Sequence, residues 1–261
     1  MLKKRLIPVL YLQNGLIVRS ETFSQFKIIG DPIQQLERLS DWQADELVYV
    51  DITRPGGSNE PLRSDLKYKF DDNLIGILRE IAKFARMPLT FGGRITCLEQ
   101  ADAIIANGAD KVLINTAAYR NPDLISQVAN KYGSQAMMVG MDVKREDGKL
   151  SLFIEQGRER VNRDPLEWAL EAVSQGAGEI LVNSIDRDGT AEGFDTELHE
   201  WIAQNIKVPV IACGGAGAFE HFAQPLQGSV SAAAAGNIFH FTELAYRRAK
   251  KHLKSKSINV R

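Results

Sequence analysis

The feature that most constrains this chain is an internal repeat. Each half contains three strand-like segments in the same order, and the third has a proline near its start and a glycine pair at its end. The segments are residues 6–11, 46–51 and 87–93 in the first half and residues 137–142, 179–184 and 208–215 in the second. A half-domain used twice constrains the architecture more than any local propensity does. We therefore expect two half-repeats, of about residues 1–133 and 134–261.

Short apolar runs alternate with amphipathic stretches along the whole chain. Eight such runs lie near residues 6–10, 47–51, 88–91, 111–114, 137–141, 180–183, 208–212 and 230–235. This alternation predicts a parallel sheet covered by helices, and two matching halves favour a closed (β/α)8 barrel over an open doubly wound sheet. With 261 residues, of which 44% are hydrophobic, the chain is long enough to form such a barrel as a single domain, residues 1–261.

Local signals mark the ends of several predicted elements. Asp31, Asn121 and Asp164 each precede a proline. This pattern is typical of a helix start, because the side-chain oxygen accepts amide hydrogens and proline lacks a donor. Residues 147–148, Asp-Gly, predict the turn of a β-hairpin. The segment 54–70 is predicted to be a long loop on the face where barrel proteins bind substrate. A loop of this length is usually either functional or disordered, and a function is the preferred interpretation.

The balance of charges and cysteines excludes several classes of protein. A formal net charge of −1 gives no electrostatic reason to expect nucleic acid or a membrane surface as a partner. The two cysteines form no disulfide framework, and no apolar run approaches the roughly 20 residues of a membrane span. A cytoplasmic location is therefore expected. No Cys/His spacing suggests a metal, and no cofactor is expected.

Glycine-rich and polar segments follow the predicted strands in both halves, where ligand oxygens could approach backbone amides. In the first half these residues are Gly92, Gly93, Arg94, Asn115 and Thr116. In the second half they are Asp188, Gly189, Gly214, Gly215, Gly236 and Asn237. Glycines that merely permit tight turns are the alternative. Duplication at matching strand ends favours two phosphate sites on opposite sides of one mouth.

Two residues at equivalent strand ends are the catalytic candidates. Asp142 ends the fifth predicted strand, where a carboxylate could move protons, although an aspartate that only caps a loop is the alternative. The repeat pairs it with Tyr11, at the end of the first strand. A tyrosine with a pKa near 10 is a poor base at neutral pH. Tyr11 could instead pack or donate a hydrogen bond.

Four charged residues stand at or just before the starts of separate strands. They are Arg5, Glu46, Lys111 and Glu179. In a barrel these positions converge on the face opposite the mouth, so two positive and two negative charges could meet around the axis. A salt-bridge plug that stabilises the barrel is one interpretation. Because buried ion pairs are costly to desolvate, a polar gate through the barrel is the other.

A set of motifs along the chain is specific to one known family. The motifs are Gly30–Pro32, Asp45–Val48, Gly108–Lys111, Ile114–Ala117, Ser184–Thr190 and Ala212–Gly217. On these motifs the whole chain resembles the HisF family, the cyclase subunit of imidazole glycerol phosphate synthase. The resemblance implies a duplicated half-barrel that binds a substrate with a phosphate at each end. It also implies a glutaminase subunit docked at the barrel bottom, whose ammonia enters through a gate matching the four charges.

The chain departs from the family pattern at the mouth. Tyr11 stands where the family has its first catalytic aspartate, whereas Asp142 matches the second. Arg94 replaces a glycine, and Cys213 and Asn237 replace serines. Losing one acid–base partner removes an effect of about 10²–10⁴ in rate. The departures resemble a divergent branch that works with a glutaminase and an ATP-dependent amidotransferase in surface-polysaccharide pathways, where an acetamido sugar becomes an acetamidino sugar.

Three functions follow from these expectations. The leading one is an ammonia-channelling synthase subunit that serves the amidination of a lipopolysaccharide or other surface sugar. The second is a cyclase subunit of histidine biosynthesis with an altered mouth. The third is a non-catalytic scaffold whose barrel only conducts ammonia between partners.

Overall fold

The computed structural model describes residues 3–54 and 74–261 of the chain. The loop predicted at 54–70 lies, beyond its first residue, outside the described residues, and its role stays a prediction. The strands are β1 (Arg5–Gln13), β2 (Leu16–Glu21), β3 (Gln25–Gly30), β4 (Leu47–Asp51), β5 (Leu89–Gly92), β6 (Lys111–Ile114), β7 (Met137–Glu146), β8 (Lys149–Ile154), β9 (Glu159–Val161), β10 (Glu179–Ser184), β11 (Val210–Cys213) and β12 (Ala232–Ala235). The helices are α1 (Pro32–Asp41), α2 (Leu74–Phe84), α3 (Leu98–Ala106), α4 (Thr116–Arg120), α5 (Asp123–Tyr132), α6 (Pro165–Ser174), α7 (Thr196–Asn205), α8 (Ala223–Gln227), α9 (Ile238–Phe241) and α10 (Ala245–Ser255).

Eight parallel strands close into a barrel with helices around it. Their order is β1, β4, β5, β6, β7, β10, β11 and β12. The parallel pairing of β12 with β1, in which Ala232 lies opposite Arg5, completes the ring. The predicted (β/α)8 fold is confirmed.

Each of the eight predicted strands is present, with bounds that shift by a few residues. The alanine-rich run near residues 230–235 forms β12. Alanine has little preference for strands, but β12 is bonded on both sides, by β1 and β11. Tertiary pairing therefore decides this strand rather than its own composition.

Two β-hairpins follow equivalent barrel strands. The hairpin of β7 and β8 turns at Asp147 (φ 49°) and Gly148 (φ 76°), as predicted. A second hairpin, of β1 and β2, turns at Asn14 (φ 51°) and Gly15 (φ 78°), and β3 extends it. This second hairpin was not predicted, although Asn-Gly is a strong hairpin signal. Matching hairpins at matching positions support the duplication hypothesis.

The predicted helix caps are correct at two of three places. The carboxylate of Asp31 accepts hydrogen bonds from the amides of Ile33 and Gln34 at 2.7 and 3.1 Å. Asp164 caps α6 in the same way. The prediction at Asn121 is wrong: its side chain makes no capping bond, because it ends α4 and the next helix begins two residues later, at Asp123.

The apolar core has two layers, which follow from the alternation of side chains along each strand. Leu6 and Leu10 of β1 point outward and pack with residues of the surrounding helices. Ile7 and Val9 point inward and pack with Val48 inside the barrel. The interior is therefore filled by side chains, which leaves the two ends of the barrel as the places for a polar site.

No helix in the described part of the chain is long and apolar enough to cross a membrane. Cys97 and Cys213 are both free thiols.

Candidate functional site

The carboxyl ends of the barrel strands open into two adjoining cavities. The larger has a volume of about 600 Å³ and is bordered by Asp142 and Gly93. The smaller has a volume of about 260 Å³ and is bordered by Asp188 and Gly215. Tyr11 borders both cavities and so stands between them. Candidate residues from the two halves of the chain therefore meet at one mouth.

Asp142 is buried at the floor of the larger cavity, with 6% of its surface exposed. The side-chain amide of Asn115 donates a hydrogen bond to its Oδ2 at 2.8 Å, and that of Asn183 donates to Oδ1 at 3.4 Å. Burial raises the pKa of Asp142 to about 7, although the two amides lower it and only the charge of Asp188 adds to the rise. A carboxyl group that is half-ionised near neutral pH can both accept and donate a proton.

Tyr11 remains a neutral phenol at this mouth. Burial raises its pKa well above the ordinary value, and the nearby acidic groups of Cys213, Asp188 and Asp142 add to the effect. Its ring contacts that of Phe23 edge-on, with 6.2 Å between centroids. Such a hydroxyl can donate a hydrogen bond to a ligand but cannot serve as a base.

The first predicted phosphate site lies along the larger cavity. Gly93 (φ 91°) turns beneath it, and a Cβ atom at this position would lie 2.0 Å from the carbonyl oxygen of Asp51. Arg94 borders the same cavity, and its guanidinium stands 3.5 Å from the carboxylate of Asp51. Gly92 borders neither cavity, because it packs against Leu113 in the barrel wall.

The predicted side-chain donors of this first site already have partners. Asn115 holds Asp142, and the hydroxyl of Thr116 accepts a hydrogen bond from the amide of Glu155 at 2.9 Å. The Thr116 hydroxyl still has a proton to donate, so it can meet an anion there together with backbone amides and Arg94.

The second predicted site borders the smaller cavity. The residues there are Asp188, Gly189, Gly214, Gly215, Gly236 and Asn237. At Gly215 (φ 101°) a Cβ atom would lie 2.0 Å from the carbonyl oxygen of Gly193. The Asn237 side chain donates to the carbonyl of Ser20 at 2.8 Å, which ties the site to the hairpin of β2 and β3.

Substitution of Gly93 by alanine is expected to weaken the binding of inorganic phosphate by about tenfold or more, equivalent to about 1.4 kcal/mol. The added methyl group would collide with the Asp51 carbonyl, so the turn that presents the amides must move. Isothermal titration with phosphate measures the change. The matched control is Gly148→Ala, which also has a positive φ but has no atom within 4 Å of the new Cβ. Equal affinities of both variants would argue against an anion site at Gly93.

The four charges at the opposite end of the barrel form a closed ring, which we call the charge ring (Arg5, Glu46, Lys111 and Glu179). The Arg5 guanidinium stands 2.8 Å from the carboxylates of both Glu46 and Glu179. The Lys111 ammonium lies 2.6 Å from Glu179 and 3.5 Å from Glu46. The side chains are 6–17% exposed, with Arg5 at 13%. The sequence thus correctly predicted that these four residues meet; their role as a gate stays a prediction.

The contribution of the hairpin of β1 and β2, extended by β3, to the mouth was not predicted. Ser20 bonds to Asp188, with 2.5 Å between Oγ and Oδ2, and Phe23 borders the larger cavity. The Asn14-Gly15 turn could have revealed the hairpin. The contact between this hairpin and the loop after β10 joins residues that are far apart in the chain, so no local sequence pattern predicts it.

The protein is thus a closed (β/α)8 barrel with a buried carboxyl group in a cavity at the carboxyl ends of its strands, the place where enzymes of this fold have their active sites. A family model described as "Histidine biosynthesis protein" matches residues 5–245, and the chain belongs to this family.

Three relatives that align with the whole chain carry the same name, imidazole glycerol phosphate synthase subunit HisF. The protein of Exiguobacterium sibiricum is 39% identical over 261 residues, which cover all of both chains. That of Thermotoga sp. strain RQ2 is 40% identical over 261 residues, all of this chain and 98% of the relative. That of Alkaliphilus metalliredigens is 38% identical over 263 residues, again all of both chains. The resemblance to the HisF family is confirmed.

Proposed function

We propose that this protein is the ammonia-accepting cyclase subunit of an imidazole glycerol phosphate synthase that acts in histidine biosynthesis. The observation that carries the proposal is Asp142, a buried carboxyl group with a pKa of about 7, at the floor of a mouth with two cavities. Full-length relatives bearing the HisF name support the same reaction.

The charge ring at one end of the barrel suits the entry of ammonia, and the mouth at the other end suits its addition to the acceptor. Three members of the charge ring, Arg5, Lys111 and Glu179, are the first residues of β1, β6 and β10. The fourth, Glu46, directly precedes β4. If these four residues exchanged ion-pair partners, a polar path for ammonia would open while each charge stayed paired with an opposite one. Asp142 lies at the other end, where the acceptor would bind. A glutaminase docked over the charge ring would supply ammonia, and the complex would work in the cytoplasm.

A substrate with two phosphates would occupy both cavities of the mouth. An acceptor with a phosphate at each end would place one phosphate near Gly93 and Arg94 and the other near Gly214 and Gly215. Its middle would then pass Tyr11, which borders both cavities.

Amidination of a surface sugar, with an ATP-dependent amidotransferase as a further partner, is the second candidate. Tyr11 in place of a carboxylate favours it, and for that reason it is the leading expectation from the sequence. Three relatives that align with the whole chain support the cyclase function instead, because they are named as subunits of imidazole glycerol phosphate synthase.

Cyclisation of the bis-phosphorylated ribulosyl aminoimidazole carboxamide intermediate, with ammonium chloride as the nitrogen source, tests the proposal. The purified protein is expected to release the cyclised product, and an Asp142→Asn preparation made in parallel controls for a contaminating cyclase. Absence of product from the unmodified protein would refute the cyclase function. Product formed from an acetamido sugar with the two partner enzymes would then establish the second candidate.

A further inference from the structure

Tyr11 is a buried side chain whose polar end has no partner among the residues that the structure describes. It is 8% exposed, and its hydroxyl makes no hydrogen bond to any of them. Two other buried tyrosines do have bonded hydroxyls. That of Tyr49 donates to the carbonyl of Pro32 at 2.7 Å, and that of Tyr246 donates to the carbonyl of Leu6 at 2.8 Å. Because leaving a buried donor unpaired is costly, we expect the Tyr11 hydroxyl to bind a group that enters from the mouth.

The ring of Tyr11 is held in place between the two cavities. It borders both of them and packs with the inner layer of the barrel core. The ring of Phe23 meets it edge-on, with 6.2 Å between centroids. The turn after β12 also approaches it, since a Cβ atom at Gly236 would lie 4.0 Å from its Cε2. A ring fixed in this way carries a hydroxyl that is already oriented before a ligand arrives, and a ligand that spans both cavities must pass it.

The chemistry of Tyr11 and Asp142 is complementary. Burial raises the pKa of Tyr11 well above its ordinary value, and acidic neighbours, Asp142 among them, add to the rise. The phenol is therefore a donor that keeps its proton. Asp142, with a pKa of about 7, can both accept and release a proton. The side-chain amides of Asn115 and Asn183 already donate to Asp142, whereas the Tyr11 hydroxyl is uncommitted and can meet an oxygen atom of the ligand.

We propose that the Tyr11 hydroxyl binds the carbonyl oxygen of the acceptor and stabilises the negative charge that this oxygen gains when ammonia adds. The inference rests on the proposed ammonia-accepting function. The lone pair of nitrogen forms the new C–N bond, and the C=O π pair moves to oxygen, where the hydroxyl of Tyr11 donates to it. The Asp142 carboxylate takes a proton from nitrogen and then gives it to that oxygen.

This sequence yields a neutral carbinolamine and returns Asp142 to the carboxylate form. Tyr11 keeps its own proton throughout, so it needs neither a base nor an ionised state. A donor at this position thus allows a single carboxyl group to carry out both proton transfers of the addition step.

Tyr11→Phe tests the proposal, because it removes the hydroxyl group and keeps the ring. In the ammonium-dependent reaction we expect kcat to fall by about 10²–10³-fold, the usual effect of removing one donor to an oxyanion, while KM for the acceptor changes much less. Tyr49→Phe is the matched control. It also removes the hydroxyl of a buried tyrosine, but this residue borders neither cavity, so kcat should stay unchanged.

Two results would overturn the inference while the proposed function stands. One is a Tyr11→Phe protein with nearly full turnover. The other is a rise in KM with an unchanged kcat, which would mean that the hydroxyl binds the acceptor and its transition state equally well.

A ¹³C NMR measurement on protein labelled at the tyrosine Cζ atoms needs no turnover. The Tyr11 signal, identified by its loss in Tyr11→Phe, is expected to shift when acetamide, a small neutral carbonyl compound, is added. The Tyr49 signal should stay in place. An unmoved Tyr11 signal in concentrated acetamide would refute the donor role even if no acceptor turns over. A shifted signal together with absence of turnover would instead count against the proposed function alone.

Discussion

Replacement of Asp142 by asparagine is expected to lower ammonium-dependent product formation by about 10²–10⁴-fold without unfolding the barrel. An amide cannot act as a general acid or base at neutral pH, yet it has nearly the shape of the carboxyl group, and its one oxygen can still accept one of the two hydrogen bonds that Asn115 and Asn183 donate. Steady-state rates at saturating ammonium measure the effect. The matched control is Asp147→Asn, an exposed change at a hairpin turn that tolerates asparagine. Similar rates for both variants would remove Asp142 from the chemistry.

The same substitution is expected to stabilise the protein at high pH. The folded-state pKa of Asp142, about 7, exceeds the ordinary value of 3.8, so the folded state holds its proton more tightly than the unfolded state. Stability is therefore lost as the pH rises from about 4 through 7. The asparagine side chain does not ionise, and at pH 8 the variant's gain in the free energy of unfolding should approach roughly 2–4 kcal/mol. Urea denaturation at pH 8 and pH 4.5 measures this; a gain that does not grow with pH would contradict it.

Replacement of Lys111 by alanine is expected to damage the charge ring in two ways. The carboxylates of Glu179 and Glu46 would lose a cation that now lies 2.6 and 3.5 Å away, with Arg5 left between them. Breaking a buried ion pair in this way costs about 3–5 kcal/mol in the free energy of unfolding. If the ring is a gate, glutamine-dependent product formation should also fall further than the ammonium-dependent reaction. The complete complex with each nitrogen source measures the ratio.

Lys131→Ala is the control for this variant. Lys131 also makes a 2.7 Å ion pair, with Asp102, but its side chain is 49% exposed, and surface pairs contribute only about 0–1 kcal/mol. Equal losses with glutamine and with ammonium in Lys111→Ala would mean that Lys111 only holds the barrel together. The charge ring would then be a plug rather than a gate.

The sequence by itself determined the barrel and the residues at its two ends. Its repeated strands, the caps at Asp31 and Asp164, and the turn at residues 147–148 are local patterns, and each reflects a preference of the nearby backbone. Strand starts converge at one end of any such barrel and strand ends at the other. The meeting of the charge ring and the approach of Tyr11 to Asp142 could therefore be predicted from strand positions alone.

Only the tertiary structure decided which of these side chains are available to bind a ligand and which carboxyl groups have a shifted pKa. Asn115 could be read as a phosphate donor, yet it is bound to Asp142. Asp188 was expected at a phosphate site, yet burial raises the pKa of its carboxyl group to about 6, although the hydroxyl of Ser20, 168 positions away in the chain, bonds to it and lowers the pKa. Desolvation and hydrogen-bond partners depend on which distant segments fold over a side chain. That arrangement is a property of the closed barrel and its hairpins, because no local stretch of sequence encodes the depth at which a carboxyl group is buried.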